Sequence, residues 1–102
     1  MSINLKKVPN TPGVYKFFNN HEIIYIGKAK DLKKRVASYF GKSQKDRKTS
    51  QIRMLTDKVE TFTTKNEVEA LLLEQMLIKE NKPKFNILLR DDKTYPYIYF
   101  SL

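Results

Sequence analysis

With 102 residues, no cysteine and a formal net charge of +9, the chain can form one domain with a modest core. Without cysteine it has neither a disulfide framework nor a thiolate zinc site, which suits a reducing cytoplasm. It also contains no apolar run of signal-peptide or membrane-spanning length. The excess of Lys and Arg, 20 against 11 Asp and Glu, favours a polyanionic partner over a membrane, although a basic surface that serves only solubility is the simpler alternative.

The first predicted element is an antiparallel hairpin. Residues 13–18 (GVYKFF) and 22–26 (EIIYI) are rich in β-branched and aromatic side chains, and an Asn-Asn-His turn separates them. Gly27 is expected to end the second strand. His21 is the only histidine, and its place in the turn indicates a solvated loop residue.

A helix is predicted to begin within residues 28–31 and to end at Gly41. Its apolar stripe consists of Leu32, Val36, Tyr39 and Phe40. Lys30, Lys33 and Lys34 lie off this stripe, and with the charge of the whole chain they predict contacts to phosphates rather than a merely solvated face.

The next segments alternate between polar and periodic sequence. A basic connection at 42–49 leads to a second helix through Ile52 and Leu55, extending to Val59, and residues 60–64 predict a third strand in the same sheet. Towards the end of the chain, residues 84–86 are expected to leave the helical pattern and residues 95–100 to be extended.

The helix predicted over residues 66–81 (NEVEALLLEQMLIKEN) is the most informative element. Asn66 is a good N-cap, Glu69 can complete a capping box, and Pro83 prevents continuation. Apolar residues cover most of its circumference, so we expect it to be buried at the centre of the domain. Glu74 lies within this apolar surface, where a carboxylate needs a cation or a hydrogen-bond donor.

These elements predict an α+β fold, with a small three-stranded antiparallel sheet flanked by helices and a central buried helix. Residues 1–102 are interpreted as a single domain without internal repeats. The strand-like ending, YIYFSL, indicates the first part of a longer protein.

The candidate site residues are two tyrosines that lie next to glycines, together with three charged residues. Tyr15 and Tyr25 lie on adjacent strands beside glycines, which permit close approach of a ligand, and Lys28, Arg35 and Glu74 supply charge. The chain contains no Ser-His-Asp arrangement, no phosphate-binding Gly-rich loop and no His/Cys cluster.

The pattern GVY, followed ten residues on by YIG, resembles the two-part signature of the GIY-YIG nucleases. The resemblance continues through residues 28–40 and 66–74, then through KPKFN at 82–86 and LRDDK…YPYI at 89–98. Over that extent the chain is similar to the N-terminal nuclease domains of the UvrC family in bacterial nucleotide excision repair. Val14 stands where the family signature has Ile.

The resemblance implies hydrolysis of a DNA phosphodiester on the 3′ side of a lesion, after UvrA has loaded UvrB, by one part of a longer UvrC chain. It implies that Glu74 holds one divalent metal ion, Mg²⁺ or Mn²⁺, and that Tyr25 is the general base for water. The residues that it places around them are Tyr15, Lys28, Arg35 and Tyr39, with Asn86 and Gly27 in support.

Physical chemistry agrees with this assignment. A lone carboxylate with waters and a phosphate oxygen suits Mg²⁺, which keeps much of its hydration. A free phenol is ionised to only about one part in a thousand at pH 7, so a phenolic base needs nearby positive charge. Lys28, Arg35 and the metal can supply that charge, and Arg35 can also hold the scissile phosphate bidentately.

Other interpretations remain open at this point. The chain could be a shorter UvrC-like protein, another GIY-YIG nuclease, or a non-catalytic module in which the charge and tyrosines only bind nucleic acid. Glu74 could instead form a structural salt bridge to an arginine. Asp91 and Asp92 are most simply a turn, with a second metal site or a contact to the rest of a longer protein as the alternatives.

Overall fold

The computed structural model describes residues 5–40 and 47–88. The predictions for Gly41, Asp91, Asp92 and residues 95–100, and for most of the basic connection, lie outside these ranges. In chain order the elements are a 3₁₀ turn at Leu5–Lys7, β1 at Gly13–Asn19, β2 at Glu22–Ala29, α1 at Leu32–Phe40, α2 at Arg47–Leu55, β3 at Lys58–Thr63, α3 at Glu67–Asn81 and α4 at Lys84–Leu88.

The three strands form one antiparallel sheet in the order β2-β1-β3, which confirms the predicted sheet. Asn20 and His21 form the tight turn between β1 and β2, and their φ angles of 52° and 72° match the left-handed backbone that short hairpins require. A bulge leaves Ile24 without a partner on β1, because Phe17 pairs with Tyr25 and the next pair is Phe18 with Ile23.

Each face of the sheet has its own apolar core. On one face, α1, α2 and α4 pack against β1 and β2 through a cluster that includes Phe17, Val36 and Ile52. On the other face, α3 covers Val14 and Ile26. The central strand β1 therefore sends alternate side chains into two different cores, as the period of a strand requires.

The prediction that the helix at 66–81 is buried all round is wrong. Ala70 is its only fully buried residue, whereas Val68 is 67% exposed and Leu72 is 65% exposed. One side of α3 packs on β1 and β2, and within the described ranges no second layer covers the outward side. Apolar residues all round a helix allow it to be buried on every side. In this fold, however, the helix packs on the sheet with one side only.

The cap of α3 follows the prediction with one change of partner. The Asn66 Oδ1 atom accepts a hydrogen bond of 2.8 Å from the backbone N–H of Glu69. The Glu69 carboxylate accepts its own bond of 2.8 Å from the backbone N–H of Lys65 rather than from Asn66. The helix therefore begins where the capping pattern places it.

Several predicted boundaries need correction. β2 continues past Gly27 because Ala29 still pairs with Gly13, and α1 begins only at Leu32. α2 ends at Leu55, so Val59 belongs to β3 rather than to the helix.

The short helix α4 was not predicted. It begins directly after Pro83, a residue favoured at the start of helices, although its five residues are too few for a periodic pattern. No helix within the described ranges is both long and apolar enough to cross a membrane.

Candidate active site

Three tyrosines from three elements meet beside the sheet. The ring of Tyr15 on β1 lies 6.3 Å from that of Tyr25 on β2 and 5.8 Å from that of Tyr39 on α1, between centroids. The Tyr15 and Tyr39 hydroxyl oxygens are 3.1 Å apart, and the Tyr39 hydroxyl is also hydrogen-bonded to Tyr25. The three phenols therefore form a continuous hydrogen-bonded chain, which we call the tyrosine chain.

Gly27 makes room for this arrangement. It pairs with Tyr15 across the hairpin, and a Cβ atom on Gly27 would overlap the Tyr15 ring and its hydroxyl oxygen. The glycine thus serves close packing between two strands rather than an unusual backbone angle.

Burial keeps the two inner phenols protonated. Tyr15 is 2% exposed and Tyr39 is 7% exposed. Loss of solvent and the neighbouring phenols raise the pKa of Tyr15 well above its usual value of 10, and burial together with Tyr25 raises the pKa of Tyr39. Arg35 opposes both shifts only weakly. At neutral pH Tyr15 and Tyr39 are therefore hydrogen-bond donors and not bases.

The outer edge of β2 carries the remaining groups. The Asn86 side chain accepts a bond of 2.8 Å from the Ile26 N–H and donates one of 2.9 Å to the Ile26 carbonyl oxygen, as a paired strand would. Two residues further along the same edge, the Lys28 N–H donates to the Glu74 carboxylate. Asn86 and Glu74 thus bind successive outward-facing backbone positions of one strand.

Glu74 is a poorly solvated carboxylate. Burial raises the pKa of its carboxyl group, and the Gln75 amide and Lys28 offset this shift only in part. The Gln75 Nε2 atom donates to Glu74 over 3.2 Å. In residues 5–40 and 47–88, Glu74 has no arginine or lysine partner within ion-pair distance, so these residues do not supply the structural salt bridge considered as an alternative.

The part of the chain that the structure describes contains no group of three or more His, Cys, Asp or Glu side chains that could share a metal ion. A cation at Glu74 would complete its coordination with water or substrate oxygens, which Mg²⁺ accepts readily.

A basic cleft of about 410 Å³ adjoins the tyrosine chain. Its cationic residues are Lys28, Lys30, Lys34 and Arg35, and its other lining residues are Ala29, Asp31, Ser38 and Glu67. We use the term basic cleft for this surface. Lys28 of the cleft also donates its backbone N–H to Glu74, and Arg35 of the cleft lies near Tyr15 and Tyr39, so the cleft is next to both groups.

Most of the predicted site residues come together, and one does not. Lys30 and Lys34 line the basic cleft, whereas Lys33 does not, and its backbone N–H donates to the Pro9 carbonyl oxygen. Gln75 and Glu67 were not predicted. Gln75 has no distinguishing sequence pattern, and Glu67 lies in the first turn of α3, where an acidic residue is ordinary.

The sequence and the fold are both similar to those of known proteins. A model of the UvrC-like GIY-YIG domain family matches residues 11–87. UvrABC system protein C of Cytophaga hutchinsonii is 54% identical over 99 residues, which cover 95% of this chain and 17% of the relative. The protein of the same name from Pseudomonas paraeruginosa is 56% identical over 93 residues, which cover 90% of this chain and 15% of the relative. The chain thus spans less than one fifth of the length of these curated relatives.

Among solved structures, the GIY-YIG N-terminal endonuclease domain of UvrC from Thermotoga maritima, bound to magnesium as its catalytic divalent cation, superposes with a TM-score of 0.74. It is 42% identical, and the match covers 81% of this chain and 91% of that domain. The three-stranded antiparallel sheet with its flanking helices is thus that of a GIY-YIG domain. Within that class, the chain belongs to the UvrC-like GIY-YIG domain family.

Proposed function

We propose that this chain is a metal-dependent endonuclease domain that hydrolyses a DNA phosphodiester on the 3′ side of a lesion. The observation that carries the proposal is the position of Glu74, a partly desolvated carboxylate bonded to the Lys28 N–H of β2, the strand that also carries Tyr25. We further propose that residues 1–102 are the N-terminal domain of a longer cytoplasmic protein. UvrB loaded by UvrA, and the rest of that protein, would bring the domain to damaged duplex DNA. The length of the curated relatives supports this context.

Glu74 is the residue that would hold the metal ion, Mg²⁺ or Mn²⁺. Burial makes its negative charge costly, so a nearby cation would lower the free energy of the ionised form. When bound, such an ion stabilises negative charge on the phosphate and the departing oxygen. The Lys28 N–H orients the carboxylate along the edge of β2.

Tyr25 is proposed as the general base that takes a proton from the attacking water. Because Tyr15 and Tyr39 stay protonated, their hydroxyl hydrogens can point from Tyr15 to Tyr39 and from Tyr39 to Tyr25. Such an order places a donor on the Tyr25 oxygen and stabilises negative charge there. In this scheme Tyr15 and Tyr39 orient the base and do not titrate.

Arg35 and Lys28 would bind the scissile phosphate. Arg35 is exposed, lines the basic cleft and lies close enough to Tyr15 and Tyr39 to influence both phenols. A guanidinium group can hold two phosphate oxygens at once, which fixes the phosphorus relative to the nucleophile. Lys28 adds a positive charge between the phosphate and Glu74.

The Thermotoga maritima domain supports this division of roles. Three of its single tyrosine-to-phenylalanine variants retain the catalytic divalent cation, and so does an asparagine-to-alanine variant. The three substituted tyrosines are spaced by ten and fourteen residues, as are Tyr15, Tyr25 and Tyr39. This correspondence supports a metal ion held without the tyrosines, as expected for a Glu74 ligand.

The test compares Glu74→Gln with Glu80→Gln, which removes the same charge from the exposed far end of α3. Nicking is measured in Mg²⁺ or Mn²⁺ on supercoiled plasmid and on a lesion-bearing duplex loaded with UvrB, and metal binding is measured by calorimetry. Glu74→Gln should lose both nicking and metal binding, and Glu80→Gln should keep both. Equal cutting by wild type and Glu74→Gln would refute the assignment. Unchanged DNA affinity with no cutting by any variant would favour the non-catalytic binding module.

A further inference from the structure

The basic cleft holds more positive charge than one scissile phosphate requires. Lys28 and Arg35 adjoin the reacting groups, while Lys30 and Lys34 extend the cleft beyond them. We propose that the cleft contains a second phosphate subsite, and that Glu67 competes with the DNA for it by pairing with Lys30. The ligand is the backbone phosphate next to the scissile one on the same strand. This inference rests on the proposed function, because it assumes that the scissile phosphate lies at Arg35.

The pair between Lys30 and Glu67 is suited to displacement. The Lys30 Nζ atom lies 3.8 Å from the Glu67 Oε2 atom, beyond the length of a charge-assisted hydrogen bond, and the two side chains are 80% and 55% exposed. Exposed pairs of this kind contribute little free energy. A DNA phosphate can therefore replace Glu67 at Lys30 without breaking a buried interaction.

The second carboxylate of the cleft, that of Asp31, already accepts hydrogen bonds within the protein. Asp31 Oδ1 accepts bonds from the Asn10 amide over 2.9 Å and from the Lys34 N–H over 3.2 Å, at the start of α1. These bonds, with that from Asn10 first, lower the pKa of the Asp31 carboxyl. Since these bonds hold Asp31 as a cap, Glu67 is the carboxylate that is free to exchange partners.

The competition affects which ligands bind well. An anion that reaches only Arg35 leaves the Lys30–Glu67 pair in place and lacks the attraction of Lys30. A continuous strand that also reaches Lys30 displaces Glu67 and contacts both cations, so it adds a second phosphate contact to the first. The second phosphate contact favours a backbone that spans both subsites, and Glu67 lowers the affinity of any ligand that uses Lys30.

Fluorescence anisotropy tests the proposal with the 102-residue chain and a short fluorescein-labelled duplex. EDTA is present, so that cleavage does not enter the measurement. Glu67→Gln is compared with Glu80→Gln, because both add the same net charge and lie at opposite ends of α3. Glu67→Gln should tighten binding by about two- to fivefold more than Glu80→Gln, the range expected for an exposed ion pair. Equal tightening by the two variants would overturn the proposal.

A double-mutant cycle with Lys30→Ala assigns the effect to the pair. In the Lys30→Ala background, Glu67→Gln should behave like Glu80→Gln, and a persistent extra gain would contradict the competition. Far-UV circular dichroism shows whether each variant keeps α3. The nuclease proposal can fail separately. If the wild type never nicks DNA but Glu67→Gln still tightens binding more than Glu80→Gln, the phosphate subsite stands and the catalytic assignment is refuted.

Discussion

The hydroxyl oxygens of Tyr15 and Tyr39 lie 3.1 Å apart in the core, and burial raises the pKa of both phenols. Below pH 10 these phenols are protonated in the folded and unfolded states alike. Above pH 10 the unfolded chain releases its phenolic protons while the folded chain retains them, so the free energy of unfolding falls as pH rises towards the folded pKa values.

Tyr15→Phe therefore has two expected effects on stability. Near neutral pH the variant should be less stable by about 1 kcal/mol, because a buried hydrogen bond is lost. Above pH 10 its stability should fall less steeply than that of the wild type, by up to about 1.4 kcal/mol per pH unit. Urea unfolding from pH 7 to pH 11 measures both effects, and parallel curves for the two proteins would contradict this account of Tyr15.

Glu74→Gln should stabilise the metal-free protein at neutral pH. The folded pKa of Glu74 is raised, so its contribution is fully present in acid and is lost as pH rises above the ordinary value of 4.5. Urea unfolding in EDTA should show the variant to be more stable at pH 7, with the difference vanishing below pH 4.5. A wild type that is the more stable protein at pH 7 in EDTA would show that Glu74 is not a desolvated ligand.

The two glycines of the hairpin should differ in their tolerance of a methyl group. At Gly27 the added Cβ would meet the Tyr15 side chain, whereas at Gly13 it would meet the Phe62 backbone carbonyl and Leu32. A side chain can shift more easily than a paired strand, so Gly27→Ala should cost about 1–3 kcal/mol and Gly13→Ala should cost more. Thermal unfolding ranks the variants, and the reverse order would show that Tyr15 has less freedom than the backbone of β3.

Asn86→Ala should cost about 1–3 kcal/mol, since two hydrogen bonds to Ile26 are removed. Nicking activity should also fall at temperatures where the variant is still folded. The reason is that Asn86 holds the backbone of Ile26, the residue between Tyr25 and Gly27. Asn81→Ala is the control, since it removes a single exposed bond to the end of α3. Nicking assays well below the unfolding temperature separate the two effects, and full activity in Asn86→Ala would limit its role to stability.

The lysines of α1 should differ in their effect on DNA binding. Lys34 lines the basic cleft and Lys33 does not, although the sequence predicts phosphate contacts for both. Lys34→Ala should reduce the slope of log affinity against log salt by about 0.9, as expected for one phosphate contact on a duplex, and Lys33→Ala should leave it unchanged. The opposite result would restore the sequence prediction for Lys33.

The hairpin, the third strand and the cap at Asn66 could be predicted from sequence because each depends on local chemistry: β-branched runs, a short Asn-rich turn and a side-chain acceptor. The exposure of Val68 and Leu72 could not, since apolar residues on a helix do not reveal how many layers surround it. The sequence motif identified Tyr25 and Glu74 as candidate site residues, but the Asn86–Ile26 bonds and the Lys30–Glu67 pair join residues far apart in sequence without a periodic signal.

The two bonds from Asn86 to Ile26 also bear on self-association. β2 is an outer strand, and outer strands with free backbone groups can add a strand from another molecule. The amide occupies both hydrogen-bonding groups of Ile26, so a second copy of β2 finds no continuous ladder to extend. The Asn86 side chain thus occupies one of the backbone positions at which another strand could pair with β2.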